Sequence, residues 1–296
     1  MRTVEFHEIT MAYRKGEPVL DGVGFAADGG DVIGLLGRNG AGKTTLLRIA
    51  MGMLAPQAGA VRLFGLDPRE HPLAVKQRVG YVSEDQILPE FLKVAEVIAM
   101  HRQLFPSWDE TLERRLCERF AVPPGARIRT LSKGQARQVA LLCAVAHRPE
   151  LLVLDEPAGG LDPAVRREFL ETAIQLLNEE GTTILFSSHH MTDVERMAGR
   201  VVLLHDAAVL LDNPLDELRE GFSLALVPMA AVDGERLRAM PGCLGLREQG
   251  GAWRAIVREG PAACRERLAA ELGVAEARCQ SLPLEEMFIE LVGGRS

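Results

Sequence analysis

Gly37-Arg38-Asn39-Gly40-Ala41-Gly42-Lys43-Thr44 fits the spacing G-x-x-x-x-G-K-(S/T). Glycines at these positions let main-chain N–H groups close around a phosphate with no Cβ in the way. A helix expected over about Lys43 to Met53 would point its positive end at the same phosphates. In that arrangement the Lys43 ammonium reaches the β- and γ-phosphates and the Thr44 hydroxyl ligates Mg²⁺. The plain alternative is a Gly-rich turn ahead of a buried helix. A chance match to the string in a chain of this length has odds of about one in a hundred.

A second string, Leu151-Leu152-Val153-Leu154-Asp155-Glu156, is an apolar strand that ends in two acids. Acids at the carboxyl end of a parallel strand stand at the edge where such sheets bind ligands. Asp155 would hold Mg²⁺ through its water shell, and Glu156 would polarise an attacking water. Taken alone, the string describes a strand leaving the core. The phosphate loop upstream gives it the catalytic reading.

These side chains need a frame. Val32–Leu36, Leu151–Leu154 and Thr182–Ser188 are short apolar or β-forming runs, which suit a parallel sheet covered on both faces. Helical patterns lie between them. Ser107 with Glu110 predicts a capping box, after which Leu112, Leu116 and Phe120 share a face until Pro123-Pro124-Gly125 stops the helix. Ser132 with Gln135 predicts a second box for a helix ending before Pro149. Asp162-Pro163 opens a third helix, and Gly181 marks its stop. The expected fold class is α/β. After about Glu220 the pattern changes, and 221–296 is expected to form a small α+β domain, with Ala252–Val257 as a strand and Ala262–Leu272 as a helix.

Composition sets the outer bounds. The chain has 296 residues, 47% of them hydrophobic, so it can build a sizeable core and is not disordered. Its net charge of −7 argues against a surface that grips nucleic acid. The apolar run Val139–Ala146 falls far short of the ~20 residues of a membrane helix. Met1 to Thr10 mixes Arg2, Glu5, His7 and Glu8, unlike a signal peptide, so a cytoplasmic protein is expected. Five scattered cysteines with no C-x-x-C pair read as reduced structural thiols.

With both strings in place, residues 1–220 resemble the ATP-binding subunits of ABC transporters, which implies a P-loop NTPase ABC-type cassette with a helical subdomain over about 85–150. Leu131-Ser132-Lys133-Gly134-Gln135 is similar to that family's Leu-Ser-Gly-Gly-Gln signature, and Asp155-Glu156 to its Walker B end. Gly160-Leu161-Asp162 matches its D-loop, His189 in Ser187-Ser188-His189 its switch histidine, and Gly80-Tyr81-Val82-Ser83-Glu84 its Q-loop. The resemblance implies that Tyr13 stacks on adenine and that Gly37, Arg38, Asn39, Gly40, Ala41, Gly42, Lys43, Thr44 and Thr45 cradle the phosphates of ATP. It implies Mg²⁺ on Thr44, Asp155 and Glu84, with Glu156, His189 and Lys43 catalytic. Ser132, Gly134, Gln135 and Asp162 would face the nucleotide of a second subunit. The sequence departs from the pattern twice. Glu84 stands where Gln is usual, with Gln86 as a shifted alternative, and Lys133 replaces the first signature glycine.

The resemblance further implies a homodimer or a heterodimer with a similar ATPase, closed around two ATP–Mg²⁺. It also implies a separate integral membrane permease, a place on the inner face of the cell membrane, and no direct nucleic acid partner. Apolar residues of 87–104 (Leu88, Phe91, Leu92, Val94, Val97, Ile98) would divide between core and a permease groove. Phe105-Pro106-Ser107-Trp108-Asp109, the Leu-Ser-Lys-Gly string and a C-terminal extension are similar to drug- and antibiotic-export ATPases. The competing classes are a soluble ABC ATPase of ribosome or DNA, and a regulatory paralogue that binds ATP without turnover. The extension's last helix, with Leu284, Phe288 and Leu291 on one face and Ser281 as a cap, would pack on its own domain or serve dimerisation or regulation.

Overall fold

The computed structural model describes residues 2–14, 16–84, 88–178 and 181–293. Gln86 therefore lies outside the described residues, as do the side chain of Leu291 and the start of the 87–104 segment. The chain divides into two compact units, residues 1–212 and 213–296. The division falls one short helix ahead of the change of pattern read near Glu220.

In chain order the first unit runs β1 (Arg2–Arg14), β2 (Glu17–Asp28), β3 (Val32–Leu36), α1 (Lys43–Ala50), β4 (Ala58–Leu63), α2 (Pro72–Lys76) and β5 (Val79–Val82). There follow α3 (Val94–Leu104), α4 (Glu110–Phe120), α5 (Lys133–Val145), β6 (Leu151–Leu154) and α6 (Pro163–Asn178). Next come β7 (Thr183–Ser188), α7 (Met191–Met197), β8 (Arg200–His205) and β9 (Ala208–Pro214), whose end crosses into the second unit. That unit holds α8 (Leu215–Glu220), β10 (Ser223–Pro228), α9 (Gly234–Arg238), β11 (Cys243–Gln249), β12 (Ala252–Val257), α10 (Pro261–Leu272), β13 (Arg278–Ser281) and α11 (Leu284–Gly293).

One sheet positions the chemistry. Its strand order is β5-β6-β7-β3-β8-β9, and β5, β6, β7, β3 and β8 run parallel. Every residue of β6 and β7 is buried, as a strand covered on both faces requires. The register pairs Val82 with Leu154, Leu154 with Phe186, and Leu36 with Ser188. The residues that follow these pairs, Gly37, Asp155-Glu156 and His189, therefore leave the sheet together at one carboxyl edge.

A second, antiparallel sheet of order β2-β1-β4 was not legible in the sequence. Val4, Phe6, Ile9, Leu20, Val23 and Phe25 from it join Leu46, Leu47 and Ile49 of α1 in one buried cluster. This layer holds the helix of the phosphate loop from the side and carries Tyr13 at the end of β1. Helix α1 stops at Ala50 rather than near Met53. Gly52, at φ 67, turns the chain and its N–H bonds back to Ile49 O at 3.0 Å.

Helix caps are partly as expected. Ser132 and Gln135 form the reciprocal box at α5, with Gln135 N to Ser132 Oγ at 3.2 Å and Ser132 N to Gln135 Oε1 at 3.0 Å. The box expected from Ser107 does not form. Asp109 caps α4 by accepting from Thr111 N and Leu112 N, while Ser107 Oγ donates to His147 O at 2.9 Å. Arg148 pairs with the Asp109 carboxylate and fixes it in the capping position. Helix α5 is buried without a break from Arg137 to Val145, as a helix through the core must be.

In the second unit the sheet order is β11-β12-β10-β13, and every pairing is antiparallel. Its strands are interleaved with α9 and α10 in a β-α-β-β-α-β order, which is the split βαβ or ferredoxin-like arrangement. Ala225, Val227, Leu237, Ala255, Val257 and Leu268 form its core. Helix α11 adds Leu284 and Met287 to the buried residues, and Arg254 of β12 pairs with Glu286 on that helix. All five cysteines are free thiols, and Cys264 and Cys279 lie with their sulfurs 3.6 Å apart in this core.

Candidate functional site

The loop from Gly37 to Gly42 joins β3 to α1. Gly42 sits at φ 94, and a Cβ there would come within 2.6 Å of Leu20 Cδ2 and 2.7 Å of Val19 O. Only glycine satisfies both the backbone angle and the space. The loop ends by donating Leu46 N to Gly42 O at 2.9 Å, which starts the helix and leaves earlier N–H groups facing the cleft. That cleft, of about 490 Å³, is lined by Tyr13, Gly40, Lys43, Thr45, Glu84 and His189 among others. Asn39, Gly42, Thr44 and Glu156 also line it, while Arg38 and Ala41 line an adjoining cleft of about 670 Å³ that shares Tyr13.

Lys43 is buried at the base of the loop. Its Nζ donates to Gly37 O at 2.7 Å and to Arg38 O at 3.3 Å. It also lies 3.2 Å from Glu156 Oε1, a charge contact without hydrogen-bond alignment, so that oxygen is buried with no hydrogen bond of its own. His189 Nδ1 is 2.8 Å from Glu156 Oε2. One carboxylate is thus held between an ammonium and an imidazole.

Glu156 itself takes an unusual backbone angle, φ 44, which costs a non-glycine residue about 1–3 kcal/mol. Its surroundings hold it there. Glu156 N donates to Ser187 Oγ at 2.7 Å, and Gly159 N donates to Glu156 O at 3.0 Å.

Asp155 is fully buried beside it. Oδ1 accepts from the Thr44 hydroxyl at 3.1 Å and from Ser187 Oγ at 2.8 Å. Burial pushes the Asp155 carboxyl above the ordinary value, and the Glu156 charge pushes the same way, against the pull of the Ser187 and Thr44 hydrogen bonds. Tyr81, whose phenol is pushed up to about 12 by burial and by the nearby Asp155 charge, stays neutral alongside.

The Thr44 hydroxyl and Asp155 carboxylate are hard oxygen donors in direct contact, which suits Mg²⁺. Among the described residues no three His, Cys, Asp or Glu side chains converge to cage a metal.

A folded state that raises an acid's pKa disfavours its ionised form, so the cost of Asp155 is present above that pKa and disappears as pH falls through it. Asp155→Asn keeps an oxygen for Thr44 and Ser187 but carries no charge. At pH 8 the ligand-free variant is expected to melt higher than the parent, and the gap should close as the pH is lowered. Mg²⁺-dependent turnover should be lost in the same variant. Differential scanning fluorimetry across pH, with a phosphate-release assay, checks both; an unchanged melting temperature at pH 8 would contradict the burial cost.

Tyr13 presents its ring at the mouth of the cleft, 58% exposed, with its hydroxyl 3.2 Å from Thr45 Oγ1. The signature residues stand elsewhere. Ser132 and Gln135 are bonded to each other at the tip of α5, Lys133 is exposed, and Gly134 packs where a Cβ would meet Val165 Cγ1 at 2.8 Å. Asp162 Oδ1 accepts from Val165 N at 3.2 Å as the cap of α6. None of these is among the residues that line the two clefts beside Tyr13.

Sequence reading missed Ser187 as the link between Asp155 and Glu156, Arg137, and the Arg166–Asp193 pair that ties α6 to α7. For Ser187 a signal was present, since a hydroxyl two positions before His189 on a neighbouring parallel strand reaches the same edge.

A parallel sheet with this loop, this buried lysine and this pair of acids at one edge defines a P-loop NTPase cassette. The family model described as ABC transporter matches residues 20–159. The ABC transporter ATP-binding protein YtrB of Bacillus subtilis (strain 168) is 32% identical over 219 residues, 74% of each chain. An uncharacterized ABC transporter ATP-binding protein of Alkalihalophilus pseudofirmus is 32% identical over 275 residues, 88% of this chain and 98% of that one. A solved ATP-binding subunit of an ABC transporter is 27% identical with a TM-score of 0.66, covering 73% of this chain and 92% of the other. The chain belongs to the ABC transporter family as an ATP-binding subunit, and its class is that of an ATP hydrolase.

Proposed function

We propose that this subunit hydrolyses ATP to drive a separate integral membrane permease, as one half of a homodimer or heterodimer that closes around two ATP–Mg²⁺. The observation that carries this reading is the placement of Glu156 between Lys43 and His189, one residue from the Thr44–Asp155 contact. Tyr13 stacks on the adenine, and the 37–45 loop cradles the phosphates. Thr44, Asp155 and Glu84 hold Mg²⁺, which supplies charge neutralisation on the phosphate oxygens.

Glu156 accepts a proton from the attacking water as the new oxygen–phosphorus bond forms. The bond between the γ-phosphorus and the bridging oxygen breaks, and ADP leaves with the electron pair. Lys43 and His189 stabilise the charge that develops on the transferred group. His189 also holds the Glu156 carboxylate in one orientation through its 2.8 Å contact. The positive end of α5, with Ser132, Gly134, Gln135 and Asp162, serves the nucleotide of the other subunit. Their absence from the lining of this chain's own cleft supports that division of labour.

Among the described residues no helix is long and apolar enough to cross a membrane, and in this reading the stroke is passed to the separate permease. Phe91 and Leu104 are exposed, and a cleft of about 320 Å³ is lined by Met53, Leu88, His101 and Phe105 among others. This face suits an apolar segment of a permease at the inner surface of the cell membrane. Similarity to drug-export ATPases in the 105–109 stretch and the signature supports export as the direction. Affinity purification from detergent-solubilised membranes tests the reading. A co-purifying polytopic membrane protein is expected; recovery of ribosomes or DNA instead would overturn it.

A further inference from the structure

Arg137 lies on the second turn of α5, two residues beyond Gln135, and is buried. Among its contacts, Nη1 donates to Pro157 O at 3.0 Å and to Gly159 O, and Nη2 donates to Glu84 O at 3.2 Å. One guanidinium thus bonds main-chain oxygens of two loops. One leaves β5 and carries Glu84; the other is the turn that follows Glu156. A rigid fork of donors can span these oxygens together, whereas a point-charge ammonium cannot.

The second loop matters because Glu156 is held at φ 44, a conformation that persists only where neighbours over-determine it. Ser187 fixes the near side through Glu156 N, and Gly159 N closes the turn onto Glu156 O. Arg137 grips that turn from outside, at Pro157 and Gly159.

We infer that Arg137 is a positioning residue for hydrolysis. It sets the bearing of Glu156 by fixing the 157–159 turn, and fastens that turn to the helix whose tip carries Ser132 and Gln135 and to the loop of Glu84. The assignment rests on Glu156 as the base. Two of these bonds go to the 157–159 turn and the third to the main chain of Glu84, none to the loop that cradles the phosphates, so loss of Arg137 should fall on the rate far more than on nucleotide binding. A displaced Glu156 carboxylate is costly, because misplacement by about 1 Å can reduce a rate about 10²-fold.

The test uses the full chain with Arg137→Lys, Arg137→Met, Glu156→Gln and the double variant Glu156→Gln/Arg137→Lys. Single-turnover ATP hydrolysis, binding of a fluorescent ATP analogue and melting temperature are measured for each. The expected rate falls about tenfold in Arg137→Lys and about 10²-fold in Arg137→Met, with Kd within about threefold of the parent. Because Arg137 acts through Glu156, the double variant should be no slower than Glu156→Gln alone. A general structural lesion would instead multiply the two losses, and that result overturns the proposal. A rate within about threefold of the parent in folded Arg137→Lys, or a Kd that weakens in step with the rate, also overturns it. If Arg137→Met fails to fold, Arg137→Lys and the double variant decide. Full turnover in Glu156→Gln would remove Glu156 as the base and this inference with it, whatever the Arg137 variants do.

Discussion

Glu156→Gln is expected to lower the ATPase rate by about 10²–10⁴-fold while leaving ATP binding intact, because a positioned general base contributes that much and an amide cannot accept the proton. The site makes the prediction specific. The substituted amide would keep an oxygen for His189, now 2.8 Å from Glu156 Oε2, and the backbone bond from Glu156 N to Ser187 Oγ does not depend on the side chain. The phosphate loop and the Thr44–Asp155 contact are untouched by the change. Binding and chemistry should therefore separate cleanly: Kd for ATP unchanged, phosphate release near background. Persistent turnover in this variant would remove Glu156 from the role of base.

Lys43→Ala should fail differently, losing binding and turnover together. Among the described residues, the Lys43 ammonium is the side-chain cation at the base of the phosphate loop, bonded to Gly37 O and Arg38 O. Loss of one preorganised donor of this kind costs about 10²–10³-fold in rate, before any loss of affinity is counted. The same substitution strips the buried Glu156 carboxylate of its nearest ammonium, 3.2 Å away. His189 then remains as the other group against that carboxylate, and the loss of the ammonium should make the ligand-free protein melt lower. Isothermal titration with ATP and thermal denaturation check the two effects. A variant that binds ATP normally would contradict the phosphate-loop assignment.

The candidate site was legible in the sequence where its residues lie in one contiguous string. Gly37–Thr44 and Leu151–Glu156 each join an element to a reactive terminus, so type and spacing sufficed. The parallel sheet was legible through the fully apolar β6 and through β7, and the pairing of Leu36 with Ser188 and Val82 with Leu154 shows why those strings converge. Other features exist only in three dimensions. Arg137 and Ser187 act through main-chain atoms and a hydroxyl far away in the chain, and neither residue type advertises that use.

The antiparallel sheet escaped notice because β1 pairs on both sides with several register shifts, which blur strict alternation. At α4 two suitable capping residues stand two positions apart. The choice of Asp109 over Ser107 is made by Arg148, 39 residues on in the chain. The second unit was readable as small and α+β, but its ferredoxin-like order depends on β10 taking the centre between β12 and β13, which composition does not encode. The scattered cysteines likewise gave no hint that Cys264 and Cys279 would touch.

Sedimentation of the Glu156→Gln protein with and without ATP–Mg²⁺ tests the central claim most directly. A monomer is expected without nucleotide and a stable dimer with it, since the variant binds ATP at Lys43 and Thr44 but cannot hydrolyse it, and the α5 tip with Ser132 can meet the partner's nucleotide. A protein that binds ATP and stays monomeric at every concentration, alone and with its candidate partner ATPase, would contradict it.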